Sequence, residues 1–107
     1  MGLFDFMKPK PKTDPVAMLA DLVEFNADRI AEKEGKPRSE AVYLAICLVC
    51  DDLMARKAGG NAHDAVMVML LERYPDHAND VITYIAWSTG KIALKPEFEA
   101  QLLARHA

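Results

Sequence analysis

The sequence predicts an all-α fold, a single compact bundle of about five helices with a short extended N-terminal tail, on three observations. Apolar residues recur at three- and four-residue spacing through most of the chain, proline and glycine divide it into segments of helical length, and strand-like alternation is almost absent. With 107 residues and 51% hydrophobic content, the chain can bury ~65% of its unfolded surface, so a core forms without disulfide or metal. The expected organisation is an aromatic and basic tail over 1–13 and one bundle domain over 14–107.

Asp14 before Pro15 reads as a helix start, a capping side chain ahead of a residue whose fixed φ suits the first turn, and Gly35 reads as the stop. Between them Val16, Leu19, Val23, Ala27 and Ile30 share one face, and Asp21, Glu24, Asp28 and Glu32 gather away from it. Ser39 is expected to open a second helix running to about Lys57. Residues 41–50 (AVYLAICLVC) hold no charged side chain, which marks this helix as the central, buried one. Asn61 is expected to cap a third helix through Tyr74, with Asp64 favouring the dipole at its start and Pro75 ending it. A fourth starts near Asp76, carries Val81, Ile82, Tyr84, Ile85 and Trp87, and closes at Thr89 and Gly90. Pro96 begins the fifth, with Glu97 and Glu99 in its first turn and Arg105 and His106 at its end, charges that suit the dipole. Helices two, three and four are expected to supply most of the core, with connections of roughly four to eight residues between mostly antiparallel neighbours.

Charge and cysteine usage exclude several classes. The tail carries Lys8, Lys10 and Lys12 against Asp5, so the body is acidic, with ten basic and fifteen acidic residues, and lacks the dense cationic surface that nucleic-acid binding requires; no nucleic-acid partner is expected. No run of about 18 apolar residues crosses a bilayer. The N-terminus lacks the order of a secretory signal, its basic residues following a short apolar stretch. The two cysteines suit a reducing compartment, and the expected location is cytoplasmic.

The motifs that suggest chemistry are each weak. Cys47 and Cys50 have C-x-x-C spacing, but Cys47 lies eight residues into its helix among Leu, Val and Ile, far from the N-terminal dipole that activates redox thiols, and a zinc site needs two further ligands. Two buried structural thiols are expected, with no cofactor and no metal. His63 beside Asp64, and His77 three before Asp80, are the histidine–carboxylate pairs available for acid–base or metal chemistry, and His63, His77 and Asp51 or Asp52 meeting in space define the enzyme alternative. At helix starts such residues ordinarily cap or stay solvated. Ser88-Thr89-Gly90-Lys91 lacks the first glycine and the terminal Ser or Thr of a phosphate loop. The helix holding VMVMLL carries no polar face to read base edges, and its methionines, Met67 and Met69, are expected as core filler.

Two segments remain as partner-binding candidates. On the first helix Met18, Leu22, Phe25 and Arg29 form a second stripe, displaced from the core face and bordered by Asp21, Asp28 and Glu32, so it needs a partner: another helix of the bundle, or an external protein or second copy. In the tail, Leu3, Phe4, Phe6 and Met7 precede Lys8, Lys10 and Lys12. Each apolar side chain gains up to ~1.5–3 kcal/mol on burial, and each lysine ~1 kcal/mol beside an anionic leaflet. Prolines 9, 11 and 15 keep residues 8–13 extended over ~19 Å. The leading functional expectation is a non-enzymatic protein-binding or accessory protein whose partner is another protein or a second copy. The alternatives are a regulator held weakly at an anionic membrane by its tail, and the small enzyme built on His63 and His77.

Overall fold

A computed structural model describes residues 14–57 and 59–107, and the expectations for the tail over 1–13 lie outside the described residues. The described residues form five helices: α1 (Pro15–Glu34), α2 (Arg38–Ala55), α3 (Gly60–Arg73), α4 (Pro75–Ser88) and α5 (Pro96–Arg105). Among the described residues there is no strand.

The ends of α1 follow the sequence reading. Asp14 Oδ1 accepts from the amides of Val16 at 3.0 Å and Ala17 at 3.4 Å, satisfying donors that the first turn leaves open. Gly35 closes the helix at φ 65°, in the left-handed region where a Cβ is strained.

Other caps differ from expectation. α2 starts at Arg38 behind Pro37, so Ser39 lies inside its first turn and makes no cap, and α3 starts at Gly60 behind Gly59, so Asn61 does not cap it either. Asp64 falls beyond the first turn of α3. Pro75 does more than end α3. A single residue, Tyr74, separates the two helices, and Pro75 opens α4, where its missing N–H has no intrahelical partner to lose.

α1 packs on α2 and α3, and α4 packs on the same two, so four helices close a ring in the order α1–α2–α4–α3. α2 and α3, consecutive in sequence, stand across that ring rather than side by side. Its centre is filled by Val23 and Ala27 of α1, Tyr43 and Ile46 of α2, Met69 and Leu70 of α3 and Val81 of α4, with α2 supplying the most. Helices two, three and four supply most of the core as expected, but unevenly: α4 contributes only Ala78 and Val81, fewer than the Leu19, Ala20, Val23 and Ala27 of α1. α1 turns Leu19, Val23 and Ala27 into the core between α2 and α3, with Ile30 partly buried at the end of that side. α5 buries no residue completely and lies outside the ring.

The methionine expectation holds for one residue and fails for another. Met69 is fully buried, but Met67 lies with Val68 and Leu71 on the outer side of α3.

Candidate functional site

α1 has two apolar faces, and the bundle covers one. Leu19, Val23 and Ala27 face the core, while Met18, Leu22 and Phe25 stand 55%, 50% and 60% exposed. Of the two partners the sequence allows for this second stripe, a further helix of the bundle is not used among the described residues. Among the described residues nothing covers the stripe, and Arg29 lies over the Phe25 ring at 5.7 Å from its centroid.

The stripe continues sideways onto α2. Leu48, half exposed, projects beside it, and the seam between the helices forms a groove of about 300 Å³ lined by Leu19, Leu22, Asn26, Leu48, Val49 and Leu53, with Asp52 at its edge. Leu48 also borders the next depression along the seam, with Asn26, Arg29, Ile30 and Lys33. On the other flank, at ~100° per residue, Asp21, Asp28 and Glu32 form an exposed acidic row. Arg38 pairs with Asp28 and with Glu24, and Glu24 also accepts from the Tyr74 hydroxyl at 2.6 Å; these contacts fix α1 against the starts of α2 and α4. Asp21 and Glu32 remain the outward charges of the row.

Leu48 is invisible to the sequence reading, because a charge-free run such as 41–50 reads as buried on every side. Helical spacing contains the missing signal. Leu44 and Leu48 share a face distinct from that of Tyr43, Ile46, Cys47 and Cys50.

The cysteines are inert by environment. Both are free and buried, and loss of solvation pushes the Cys47 thiol up to about 12 and that of Cys50 up to about 11. The histidines of the enzyme alternative are not brought to one site. His63 is exposed and rims an apolar cleft with Cys50, Leu53, Met54, Val66, Met67 and Ile85, and His77 sits half-buried in the first turn of α4. Asp51 turns elsewhere, accepting from the Tyr84 hydroxyl at 2.8 Å. Among the described residues no three His, Cys, Asp or Glu side chains are grouped as metal ligands.

The polar cluster that does form is centred on a residue read from sequence only as a dipole complement. His106 Nε2 lies 2.8 Å from the Tyr43 hydroxyl, and its ring stacks on Tyr84 with centroids 4.4 Å apart. Arg105 lies 3.7 Å over the Tyr43 ring, and its Nε donates to Glu40 at 2.9 Å. Burial lowers the pKa of His106 and raises the phenols of Tyr43 and Tyr84. The two phenols and the guanidinium are thus held in their ordinary charge states, tying α5 to α2 and α4 as a structural latch.

No known protein family, characterised protein or solved structure matches the chain. Its surfaces therefore carry the functional reading. Among the described residues no helix is long and apolar enough to cross a membrane.

Proposed function

We propose that the protein is a non-enzymatic binding or accessory protein that acts through protein–protein contact, with the α1–α2 face as its docking surface. The observation that supports this is the exposure of Met18, Leu22, Phe25 and Leu48 on one face, beside a groove that Leu22 and Leu48 line. Leaving these side chains in water forgoes about 1.5–3 kcal/mol each, and an aromatic anchor at a groove rimmed by charge is the arrangement from which interfaces draw most of their affinity. Two other exposed apolar residues also adjoin depressions, Met67 at the cleft with His63 and Phe98 beside Asp80, but the former has no carboxylate at its rim and Asp80 is already met by Arg105. The fitting occupant presents apolar side chains together with lysine or arginine, because Asp21 and Glu32 border the apolar surface, whereas Asp52 is engaged by Arg56. A reducing compartment such as the cytoplasm suits two unpaired thiols three residues apart.

The test compares captures from the native host with the intact chain, with Phe25→Asp and Leu22→Asp, and with Phe98→Asp as a control on α5. The reading expects one protein to bind the intact chain and the Phe98 variant, to be lost with both α1 variants, and to rebind when purified. Capture unaffected by both α1 variants overturns it. A shift of the intact chain to dimer that Phe25→Asp removes assigns the partner as a second copy.

A further inference from the structure

Reading the α1–α2 face as a docking surface raises the question of which chain reaches it first. The occupant that the face selects, apolar side chains joined to cationic ones, is encoded at the N-terminus of this same chain as Leu3, Phe4, Phe6 and Met7 followed by Lys8, Lys10 and Lys12. We infer that residues 3–12 dock in cis on the Met18–Leu22–Phe25 stripe and the groove beside Leu48, as a built-in competitor for the partner, an inference that rests on the docking reading above.

Length permits it. Residues 8–13, spaced by proline, cover ~19 Å when extended. A helix rises ~1.5 Å per residue, so ~19 Å laid back along α1 from Asp14 brings Met7 level with any residue up to about Asn26. The stripe from Met18 to Phe25 spans only ~10 Å of that axis. A chain turned back at Thr13 therefore sets its aromatic residues against Phe25 and the groove, with no strand or helix of the bundle displaced.

Charge supports it. The lysines occupy the portion that passes Met18 and the outward carboxylate of Asp21, while the apolar residues lie farther along, where Leu22, Phe25 and Leu48 are exposed. Tethering raises the effective concentration of the tail to about the millimolar range for a short linker, so weak contacts suffice for occupancy and an external partner must compete against it.

The experiment places a nitroxide on residue 2 of the full chain through Gly2→Cys and records amide signal intensities with the label oxidised and reduced. The buried Cys47 and Cys50 stay unlabelled under native conditions. The expected result is loss of intensity at the amides of Leu22–Arg29 that does not change on diluting the protein, is reduced by Phe4→Ser with Phe6→Ser and by Asp21→Lys, and weakens with added salt as the Debye length falls below ~8 Å. Absence of that loss overturns the proposal. So does a loss that scales with protein concentration, which would mean docking on a second copy, and so does one that arises only with phosphatidylserine vesicles, which would mean a membrane-bound tail. If the tail fails this test while Phe25→Asp still abolishes partner capture, the docking surface stands and the cis competitor falls.

Discussion

The Tyr43 hydroxyl and His106 Nε2 share a hydrogen bond of 2.8 Å across 63 positions of sequence, joining the most buried aromatic residue of the core to the residue that caps α5. His106 also stacks on Tyr84, and Trp87 Nε1 donates to Glu99 of α5 at 2.8 Å. Because α5 buries no residue completely, its attachment rests on these polar and aromatic contacts.

Docking of α5 is therefore expected to depend on pH through His106. Desolvation is the largest influence on the ring and holds its pKa below 6.5; the Arg105 charge acts in the same direction, and Asp51 and Glu40 oppose it. Above 6.5 the ring is neutral whether docked or free, so docking is at full strength. As pH falls through 6.5 the free ring binds a proton that the docked ring resists, and α5 loosens until the lower pKa of the docked ring is passed. The single tryptophan, Trp87, reports this through its bond to Glu99. Its emission should change as pH falls through 6.5 in the intact chain, and much less in His106→Gln; an identical profile in the two proteins removes His106 from the latch.

Arg105→Ala should destabilise the protein by about 1–3 kcal/mol, chiefly through the loss of the charged hydrogen bond to Glu40 and of the stack on Tyr43. The Asp80 contact, 3.3 Å long and with Asp80 about half exposed, adds little. Arg105→Lys should recover only a fraction, because a single ammonium cannot lie flat on the Tyr43 ring and reach Glu40 with the same geometry. Urea midpoints of the three proteins decide it, and a lysine variant as stable as the parent would assign the contact to charge alone.

How far the sequence discloses this molecule depends on range. Asp14, Gly35 and Pro96 mark their helix ends through chemistry confined to a few residues, and those ends are legible. Ser39 and Asn61 have capping side chains too, yet Pro37 and Gly59 take the boundary, since a proline and a glycine fix or permit the extended backbone without a side-chain bond. The exposed stripe of α1 is legible as a stripe because Met18, Leu22 and Phe25 repeat at helical spacing. What stands beside it is not. Leu48 joins the face and His106 reaches Tyr43 only once α1 and α5 are set against α2, and contacts between residues so distant in sequence leave no mark in local pattern.

Cys47 and Cys50 should behave as hydrophobic side chains. With thiols pushed up to about 12 and about 11 by burial, neither forms thiolate near neutrality, so a disulfide-exchange reagent should react with no thiol of the native protein and with both after denaturation. Rapid native reaction at either position would mean that the α2 core opens far more readily than its packing implies. Cys47→Ser places a hydroxyl in the buried part of α2, beside Leu44 and Tyr43, and should cost about 1–3 kcal/mol.

The two faces of α1 and the core it completes should separate stability from binding. Phe25 is 60% exposed, its contact within the bundle is with Arg29, and a weakly docked N-terminal segment adds little to unfolding free energy, so Phe25→Asp should change it by no more than about 0.5 kcal/mol. Leu70 is fully buried where α3 meets the ring centre, and Leu70→Ala should cost about 2–5 kcal/mol through lost burial and the cavity left behind. Partner binding should show the reverse order: lost with Phe25→Asp at a temperature where the protein remains folded, and retained by Leu70→Ala as long as circular dichroism shows native helix. Denaturant titration beside the capture assay reads both quantities on the same samples. A large loss of stability in Phe25→Asp would mean that the ring is covered in solution, and comparison with the same substitution in a chain carrying Phe4→Ser and Phe6→Ser would show whether the cover is the chain's own N-terminus.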